Sequence, residues 1–396
     1  MLRKTVGSSE MARSIQCWAE LESPFYFSSE AVSLLGLGCK RQIHHPVAFA
    51  QLTETVQTLL EQSKTRSEDN PVVMGIIPFN ENQPCHFVVP NELRISSTLR
   101  YQDLHVEDRF LGPWREEYLP IPSAYGDAVN LALQEMDSGP LKKVVLSRAL
   151  KLHSEKSISP SQILMGLLKQ NPDSYSFCAN TGGQEFLVGA SPELLVARKG
   201  QQVTANPLAG SRKRHQCDNE NQKLSRSLLE TDKDLREHAL VVDAMASVLQ
   251  KHCKNLHVPM MPSVISTPAM LHLSTLIEGT LSNSDIGALQ LASELHPTPA
   301  ICGEPKDIAR EFIGQSEPFE RGFFTGVIGW MDSRGNGEWV VVIRSALVSP
   351  HALTVFAGAG IVPGSVAQEE IEETANKMGT ILNVLEQLNA VEQGIA

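Results

Sequence analysis

Acidic and basic side chains recur at helical spacing in QEEIEETANKMGTILNVL, near the end of the chain. Glu370, Glu373 and Lys377 stand at i, i+3 and i+7, so they share one helix face beside an apolar stripe. A solvated face with Glu–Lys salt bridges would give the same spacing. The preceding FAGAGIVPGS favours a site, because Gly358 and Gly360 end a predicted strand and let backbone N–H groups approach an anion closely. Both interpretations stay open.

A second acidic set lies in ETDKDLREHAL, where Glu230, Asp234 and Glu237 stand at i, i+4 and i+7. An exposed helix face again explains the spacing. Clustered carboxylates without Cys or His at ligand spacing also suit a hard cation such as Mg2+, which takes few protein carboxylates and keeps waters for a substrate. That the two acidic helices share one ion is a hypothesis at this point.

Two more ionisable groups lie in strand-like segments. Lys142 and Lys143 in KKVVLSR alternate sides of a strand, so one of them should face inward. An enclosed lysine loses its proton more readily and can act as a base near neutral pH. Glu193 follows Pro192 in GASPELL among apolar residues, where a carboxyl stays protonated and can act as an acid. An exposed strand-end lysine and a turn glutamate are the alternatives.

Composition and net charge limit the classes of protein to which the chain can belong. The 396 residues include 34 Lys+Arg and 45 Asp+Glu, for a formal net charge of −11, which disfavours nucleic acid as a partner. Apolar residues make up 42 %, enough for a large core. The seven cysteines contain no CxxC pair, and no apolar run suits a secretory signal or a membrane span. We therefore expect a globular protein in the cytoplasm.

Four well-known active-site motifs are absent from the sequence. It contains no GxxxxGK[ST] loop, no strand-linked GxGxxG, no HExxH and no GxSxG. Their absence argues against nucleotide hydrolysis, dinucleotide binding, zinc proteolysis and hydrolase-type acyl transfer. From the residues alone, the chain is predicted to be an acidic enzyme, with Mg2+ as a candidate cofactor.

The elements that must position these groups follow from periodicity. Apolar residues at helical spacing predict helices within 45–66, 219–250 and 367–389. PVVMGIIPF predicts a buried strand, and the segments after residue 142 are rich in strands, including a hairpin closed around residues 334–337. Consecutive strands joined by hairpins favour mainly antiparallel sheets over a doubly wound parallel one.

Three prolines interrupt any regular pattern within LGPWREEYLPIPSAYG, residues 111–126. We therefore predict an N-terminal α/β portion of the same fold over residues 1–125. Residues 126–392 form the predicted catalytic region.

Ordered motifs give the chain a family resemblance over about residues 126–390. It resembles the chorismate-utilising enzymes, and among them the isochorismate synthases of the siderophore (2,3-dihydroxybenzoate) type. The resemblance implies an α/β (α+β) fold of large antiparallel sheets flanked by helices, which agrees with the antiparallel sheets predicted above. The motifs are KVVLSR, GASPELL, PLAGSRKR, DLREHALVVDAM, STPAMLHL, LHPTPAICG, GNGEWVVVIRSA and FAGAGIVPGS followed by EEIEETANK.

The resemblance implies that chorismate gains a hydroxyl at C2 from water while its C4 hydroxyl leaves, giving isochorismate. Lys143 resembles the general base that activates the water, and Glu193 the general acid that protonates the departing hydroxyl. Glu237 and Glu373 look like ligands of Mg2+, with Glu370 in or next to that shell. The ion would bridge these carboxylates to the ring carboxylate of chorismate.

Other positions are implied to surround the substrate. Arg344 and Lys377 resemble residues that neutralise the enolpyruvyl carboxylate, and His272 is similarly placed near the C4 hydroxyl. Family positions whose backbone lines the pocket match Gly210, Ser211, Ala300 and Gly358.

The branch of the family depends on the attacking group. Aminodeoxychorismate synthases typically carry a lysine where PLAG has Ala209, and anthranilate synthases generally lack a lysine matching Lys143. The combination of Lys143 and Ala209 therefore indicates that water, rather than ammonia, is the attacking group. Salicylate synthases share the base, acid and metal set, but PLAGSRKR and HPTPAICG look more like plain isochorismate synthases.

Further alternatives concern pathway and assembly. A menaquinone-pathway synthase is disfavoured by GNGEWVVVIR and AGAGIVPGS, and a non-catalytic chorismate-binding subunit by the complete set of required residue types. The resemblance implies a monomer, with contact to downstream siderophore-pathway enzymes left open.

Overall fold

The computed structural model describes residues 1–97 and 113–390. That part of the chain contains 23 strands, which cluster into three sheets. The strands are Leu2–Thr5 (β1), Phe25–Ser28 (β2), Ser33–Leu37 (β3), Arg41–Pro46 (β4), Val72–Ile77 (β5), Pro84–Val89 (β6), Glu92–Ser96 (β7), Arg115–Leu119 (β8), Lys143–His153 (β9), Tyr175–Gly182 (β10), Glu185–Ser191 (β11), Leu194–Lys199 (β12), Gln202–Asn206 (β13), Leu208–Lys213 (β14), Cys253–His257 (β15), Ser263–Ser266 (β16), Met270–Ser274 (β17), Ile277–Leu281 (β18), Gly303–Glu304 (β19), Val327–Asp332 (β20), Gly337–Val341 (β21), Ser345–Ser349 (β22) and Ala352–Ile361 (β23).

Nine α-helices flank these sheets in the same described ranges. They are Ser8–Gln16 (α1), Leu52–Glu61 (α2), Pro122–Ser138 (α3), Pro160–Gln170 (α4), Asp218–Glu230 (α5), Asp232–Leu249 (α6), Ala288–Leu295 (α7), Lys306–Ser316 (α8) and Ala367–Ala390 (α9). Short 3-10 helices span Trp18–Glu20 and Phe49–Gln51.

The sheets are almost entirely antiparallel. One sheet has the order β1-β7-β3-β2-β10-β11-β22-β23-β9-β19, and β8 also pairs with β9. The second runs β15-β18-β13-β12-β21-β20-β5-β6-β4, and the third is β14-β17-β16. Among the described strand pairs, only β1 and β7 run parallel. The predicted α+β class with large antiparallel sheets is confirmed.

The two large sheets pack face to face between layers of helices. A core shared by β2, β10, β5 and β20 lies between them and includes Phe27, Phe177 and Ile328. The outer face of the second sheet packs on α2, α6 and α7, and that of the first on α1, α4 and α9. Burying apolar side chains on both faces of each sheet stabilises the assembly and fixes the registers of its strands.

The long ladder between β9 and β23 sets the geometry of the strand ends. Its register runs from Ala352 opposite His153 to Ile361 opposite Val144. This register places the FAGAG glycines beside the strand that begins with Lys143.

Several element predictions are confirmed. The last helix spans Ala367–Ala390, and the predicted hairpin joins Val327–Asp332 to Gly337–Val341. The helix predicted within 45–66 is shorter, with its α-helical part at Leu52–Glu61.

The prediction of one helix over residues 219–250 is wrong. Thr231 has an extended backbone (φ −81°, ψ 114°) and separates α5 from α6. Apolar residues recur at helical spacing on both sides of the break, but the two sets pack against different parts of the protein. Leu228 packs on the small third sheet, whereas Val242 and Met245 pack under the second sheet. Glu230 therefore ends α5 and does not share a face with Glu237.

Both large sheets combine strands from residues 1–97 with strands from residues 113–390, and the strands from 1–97 lie together at one end of each sheet. The division of the chain near residue 125 stays a prediction, and its predicted end at 392 lies outside the described residues. Among the helices of residues 1–97 and 113–390, none combines the length with the apolar character that a transmembrane segment requires.

We predict that α9 depends on a close approach to α4 at Gly166. A Cβ there would lie 2.5 Å from Val384 Cγ1, a stiff β-branched side chain. We expect Gly166→Ala to lower the free energy of unfolding by about 1–3 kcal/mol in urea titrations. Gly314→Ala in α8, with nothing within 4 Å, should raise it by about 0.5–1 kcal/mol. Equal effects of the two substitutions would contradict this packing.

Candidate active site

A cleft with about 680 Å³ of unfilled space lies where β9, β14 and β23 meet α6 and α9. Ten of the twelve predicted site residues line it, and Lys143 and Glu370 lie behind its wall. The ten are Glu193, Gly210, Ser211, Glu237, His272, Ala300, Arg344, Gly358, Glu373 and Lys377. The structure therefore brings together residues from segments more than 180 positions apart in sequence.

Lys143 is the inward-facing lysine of its strand. Its side chain has no exposure to solvent, whereas Lys142 is exposed. The Lys143 Nζ atom lies 3.0 Å from Glu237 Oε1 on α6, but it makes no well-aligned hydrogen bond with the described residues. The amine is thus held by an ion pair at the back of the cleft and keeps its hydrogen-bonding capacity.

Gly360 makes room for this ion pair. A Cβ at that position would overlap Glu237 Oε1 and lie 3.1 Å from Lys143 Cε. Sequence reasoning assigned the glycines of this strand to anion binding and missed this steric role. The cross-strand register, with Gly360 opposite Val145, is the signal that would have been needed.

Glu193 lies between β11 and β12, where the chain passes from one large sheet to the other. Complete burial raises the pKa of its carboxyl to about 7, although a Leu208 backbone hydrogen bond and the charges of Lys143 and Lys377 pull it down. Its own backbone N–H donates to Ser191 Oγ at 3.2 Å. Near neutral pH this carboxyl can therefore give up a proton.

Helix α9 brings an ionised carboxylate to the same cleft. Ser211 Oγ donates to Glu373 Oε1 at 2.9 Å, and Lys377 Nζ lies 2.6 Å from the same oxygen. Burial alone would raise the pKa of Glu373, but the Lys377 charge and these hydrogen bonds hold it below its usual value. Lys377 also donates to the Gly358 carbonyl at 2.9 Å, which ties α9 to β23.

Glu370 lies one helical turn away and is absent from the cleft wall. It is 2 % exposed and pairs with Lys233 of α6 at 2.9 Å. Burial and the charge of Glu373 raise its pKa. Its place in a metal shell stays a prediction.

Arg344 and His272 form a buried hydrogen-bonded pair in the cleft wall, and Arg344 Nη1 also donates to the Lys377 carbonyl of α9 at 3.4 Å. Arg344 Nη2 donates to His272 Nε2 at 3.3 Å. Burial and the charges of Arg344 and Lys377 keep the His272 pKa well below its usual value, so the ring is a neutral acceptor. Burial lowers the Arg344 pKa to about 10, which leaves the guanidinium charged at neutral pH. Arg344 has φ +52°, a conformation that costs energy in a non-glycine residue.

Sequence reasoning missed the apolar part of the cleft. Phe324 and Phe356 line it and stack with ring centroids 5.0 Å apart at 15°. Thr325 is also part of this wall and has φ +57°. Hydrophobic periodicity shows that such residues are buried, but not that they face a cavity.

The donor set fits a hard divalent cation. Among the described residues, no three Asp, Glu, His or Cys side chains converge tightly enough to hold a metal ion by themselves. Glu237 and Glu373 nevertheless both face the cleft with carboxylate oxygens. Two carboxylates suit Mg2+, which takes its remaining ligands from water and substrate oxygens.

A family model described as chorismate binding enzyme matches residues 93–386. The vibriobactin-specific isochorismate synthase of Vibrio cholerae is 44 % identical, over 96 % of each chain. The isochorismate synthase DhbC of Bacillus subtilis is 43 % identical, over 84 % of this chain and 85 % of that one.

Solved structures show the same similarity. The putative 2,3-dihydroxybenzoate-specific isochorismate synthase DhbC of Bacillus anthracis superposes with a TM-score of 0.89 and 39 % identity, covering 95 % of this chain and 99 % of that one. The menaquinone-specific isochorismate synthase MenF of Escherichia coli gives a TM-score of 0.80 and 25 % identity, covering 96 % and 91 %.

We predict that Glu193 makes stability depend on pH. With a folded-state pKa of about 7 against 4.5 for an ordinary carboxyl, the folded state retains the proton, so stability falls as pH rises between these values. At pH 8 we expect Glu193→Gln to be more stable than wild type by on the order of 1–3 kcal/mol in urea titrations, with the difference lost near pH 4. A difference that does not change with pH would contradict the burial of an ionisable acid.

Proposed function

Since the chain belongs to the chorismate-binding enzyme family, we propose that it is an isomerase that converts chorismate to isochorismate. The observation that carries this proposal is that Glu193, between β11 and β12, lines the cleft, while Lys143 of β9 lies directly behind its wall. One is an enclosed amine, and the other is an acid with a pKa of about 7. Its relatives' names support a role in 2,3-dihydroxybenzoate and catecholate siderophore biosynthesis.

The proposed reaction needs one proton acceptor and one proton donor. Water forms a bond to ring carbon C2 as Lys143, the proposed base, accepts a proton from it. The two ring double bonds shift by one position, and the C4–O bond breaks as Glu193 protonates the departing hydroxyl, which leaves as water. Hydroxide is a poor leaving group and water a weak nucleophile at neutral pH, so each transfer contributes on the order of 100-fold or more.

Charge on the cleft walls supports dicarboxylate binding. Arg344 and Lys377 line the cleft as cations, and the planar guanidinium suits a carboxylate held by paired donors. We propose that they hold the enolpyruvyl carboxylate. His272, neutral and bonded to Arg344, keeps a polar edge for the C4 hydroxyl, while the stacked Phe324 and Phe356 give an apolar surface for the ring.

We propose Mg2+ as the cofactor, held by Glu237 and Glu373 with Glu370 next to them. Glu237 and Glu373 place two carboxylates in the cleft wall, where they would repel the two carboxylates of chorismate. When bound, Mg2+ supplies two positive charges that offset this repulsion at the ring carboxylate.

We also propose a cytoplasmic location, supported by seven cysteines that are all free thiols. A monomeric state and contacts with downstream pathway enzymes stay predictions.

The test is product analysis of the purified chain incubated with chorismate and Mg2+, with and without EDTA. We expect isochorismate without salicylate or pyruvate, and no product with EDTA. Salicylate with equimolar pyruvate would identify a salicylate synthase. Turnover only after ammonium addition would identify an amino-transferring enzyme, and chorismate binding without turnover a non-catalytic subunit.

We predict that Lys143→Met lowers kcat by about 100-fold or more, because the base is lost while the apolar stem is kept. Chorismate binding, measured by calorimetry, should persist. Lys142→Met is the matched control, since this exposed neighbour lies on the other side of the strand, and it should keep wild-type kcat. Equal activity of the two variants would remove the base assignment.

We predict that Glu237→Gln weakens Mg2+ dependence and activity together. Loss of one carboxylate ligand should raise the Mg2+ concentration for half-maximal activity by about 10-fold or more. Glu230→Gln removes an exposed carboxylate of α5 outside the cleft, so it should leave the Mg2+ titration unchanged. A wild-type Mg2+ titration for Glu237→Gln would place the ion elsewhere.

A further inference from the structure

The strand that carries Lys143, β9, has a short stretch of unpaired edge just beyond Lys143 and Val144. On the side away from β23, β19 pairs with Lys143 and Val144, and β8 pairs with residues 149–153. Residues 145–148 have no strand partner on that side among the described residues. The Val145 N–H donates to the Cys302 carbonyl at 2.8 Å, but the other buried N–H and C=O groups of this edge also need hydrogen bonds, which side chains must supply.

A buried ion pair occupies the gap. Glu317 Oε1, just past α8, accepts from the Ser147 N–H at 2.8 Å, and Arg321 Nη2 donates to the Val145 carbonyl at 2.7 Å. The two side chains are 3 % and 2 % exposed, and their carboxylate and guanidinium groups are joined by two hydrogen bonds. Between them they make hydrogen bonds that a neighbouring strand would otherwise make.

Arg321 also holds two other parts of the cleft wall. Its Nη1 atom donates to the Ile301 carbonyl at 2.8 Å and to Thr325 Oγ1 at 3.3 Å. Its guanidinium lies over the Phe79 ring at 4.5 Å, which limits its movement. Val145, Ile301 and Thr325 all line the cleft, so one guanidinium fixes three wall segments.

We propose that Arg321 and Glu317 are positioning residues for the reaction, an inference that rests on the proposed function. They hold the segment from Lys143 to Ser147 against the walls at Ile301 and Thr325, and so set where the amine of Lys143 points. A buried ion pair is weak evidence for stability by itself, because its desolvation cost offsets its attraction. The positioning role rests instead on the directed hydrogen bonds of the pair, which hold three segments of the cleft wall in place.

Arg321→Lys is the test variant, and Arg198→Lys is its matched control. Lysine keeps the charge but cannot reproduce the fork of donors that reaches separate carbonyls. Arg198 is also buried and donates to three main-chain carbonyls, those of Gly200, Ser284 and Ile286, but it lies away from the cleft. Both substitutions should lower the melting temperature.

Only Arg321→Lys should change turnover. We expect kcat to fall by about 10- to 100-fold while KM for chorismate changes less than about threefold, because small misplacement of a catalytic group affects the chemical step. Arg198→Lys should keep wild-type kcat. Equal kcat in the two variants, or a change in KM alone, would overturn the proposal.

Amide hydrogen exchange gives a readout that does not depend on the reaction. Peptides covering residues 143–149 should exchange at least about tenfold faster in Arg321→Lys and as in wild type in Arg198→Lys. If wild type does not turn over chorismate, the proposed function fails and exchange alone decides the positioning role. Unchanged exchange in Arg321→Lys would overturn it.

If Arg321→Lys does not fold, Glu317→Gln replaces it. Its amide oxygen can still accept from the Ser147 N–H, but its bond to Arg321 is no longer charge-assisted. We expect a smaller fall in kcat, of at least about threefold, with faster exchange in the same peptides. Wild-type kcat and exchange in this variant would overturn the proposal.

Discussion

The structure depends on how it accommodates several ionisable groups that are removed from water in one cleft. A charged group removed from water needs an opposite charge or directed hydrogen bonds, or else it becomes neutral. Glu193 is 3 % exposed and the Glu373 side chain is 25 % exposed, yet the pKa of Glu193 is raised to about 7 and that of Glu373 is lowered. The difference lies in their partners, because Glu373 contacts Lys377 and Ser211, whereas Glu193 forms no ion pair in the described residues. Pairing thus decides which carboxyl is an acid and which is an anion.

The fold is arranged so that these partners meet. The β9–β23 ladder brings the end carrying Lys143 beside Gly360, which has no side chain to block Glu237 of α6. Lys377 bonds both Glu373 and the Gly358 carbonyl, so α9 is fixed to the same strand. The helices therefore deliver two carboxylates to the cleft that Arg344 and Glu193 also line. In this arrangement a divalent cation would neutralise the two negative charges of a bound dicarboxylate.

The sequence predicted the fold class, the last helix and most of the residues that line the cleft, because hydrophobic periodicity predicts buried faces and the ordered family motifs include the lining positions. It could not show the break at Thr231, since the apolar stripe runs unchanged through both helices. It placed Glu370 with Glu373 because helical spacing does not separate a residue on the wall from one a turn behind it. Glu317 and Arg321 have the i, i+4 spacing of an ordinary surface salt bridge, and only the tertiary structure shows that they are buried. Gly360 likewise required the cross-strand register.

The central claim is that an enclosed amine and an enclosed acid act together on solvent water and a departing hydroxyl. Isotope labelling tests it most directly: chorismate and Mg2+ are incubated with the chain in water enriched in oxygen-18, and early product is analysed by mass spectrometry. The account predicts isochorismate with one labelled oxygen, located in the C2 hydroxyl, and unlabelled remaining chorismate. Unlabelled isochorismate would show that the hydroxyl moves within the substrate, and would contradict the roles given to Lys143 and Glu193.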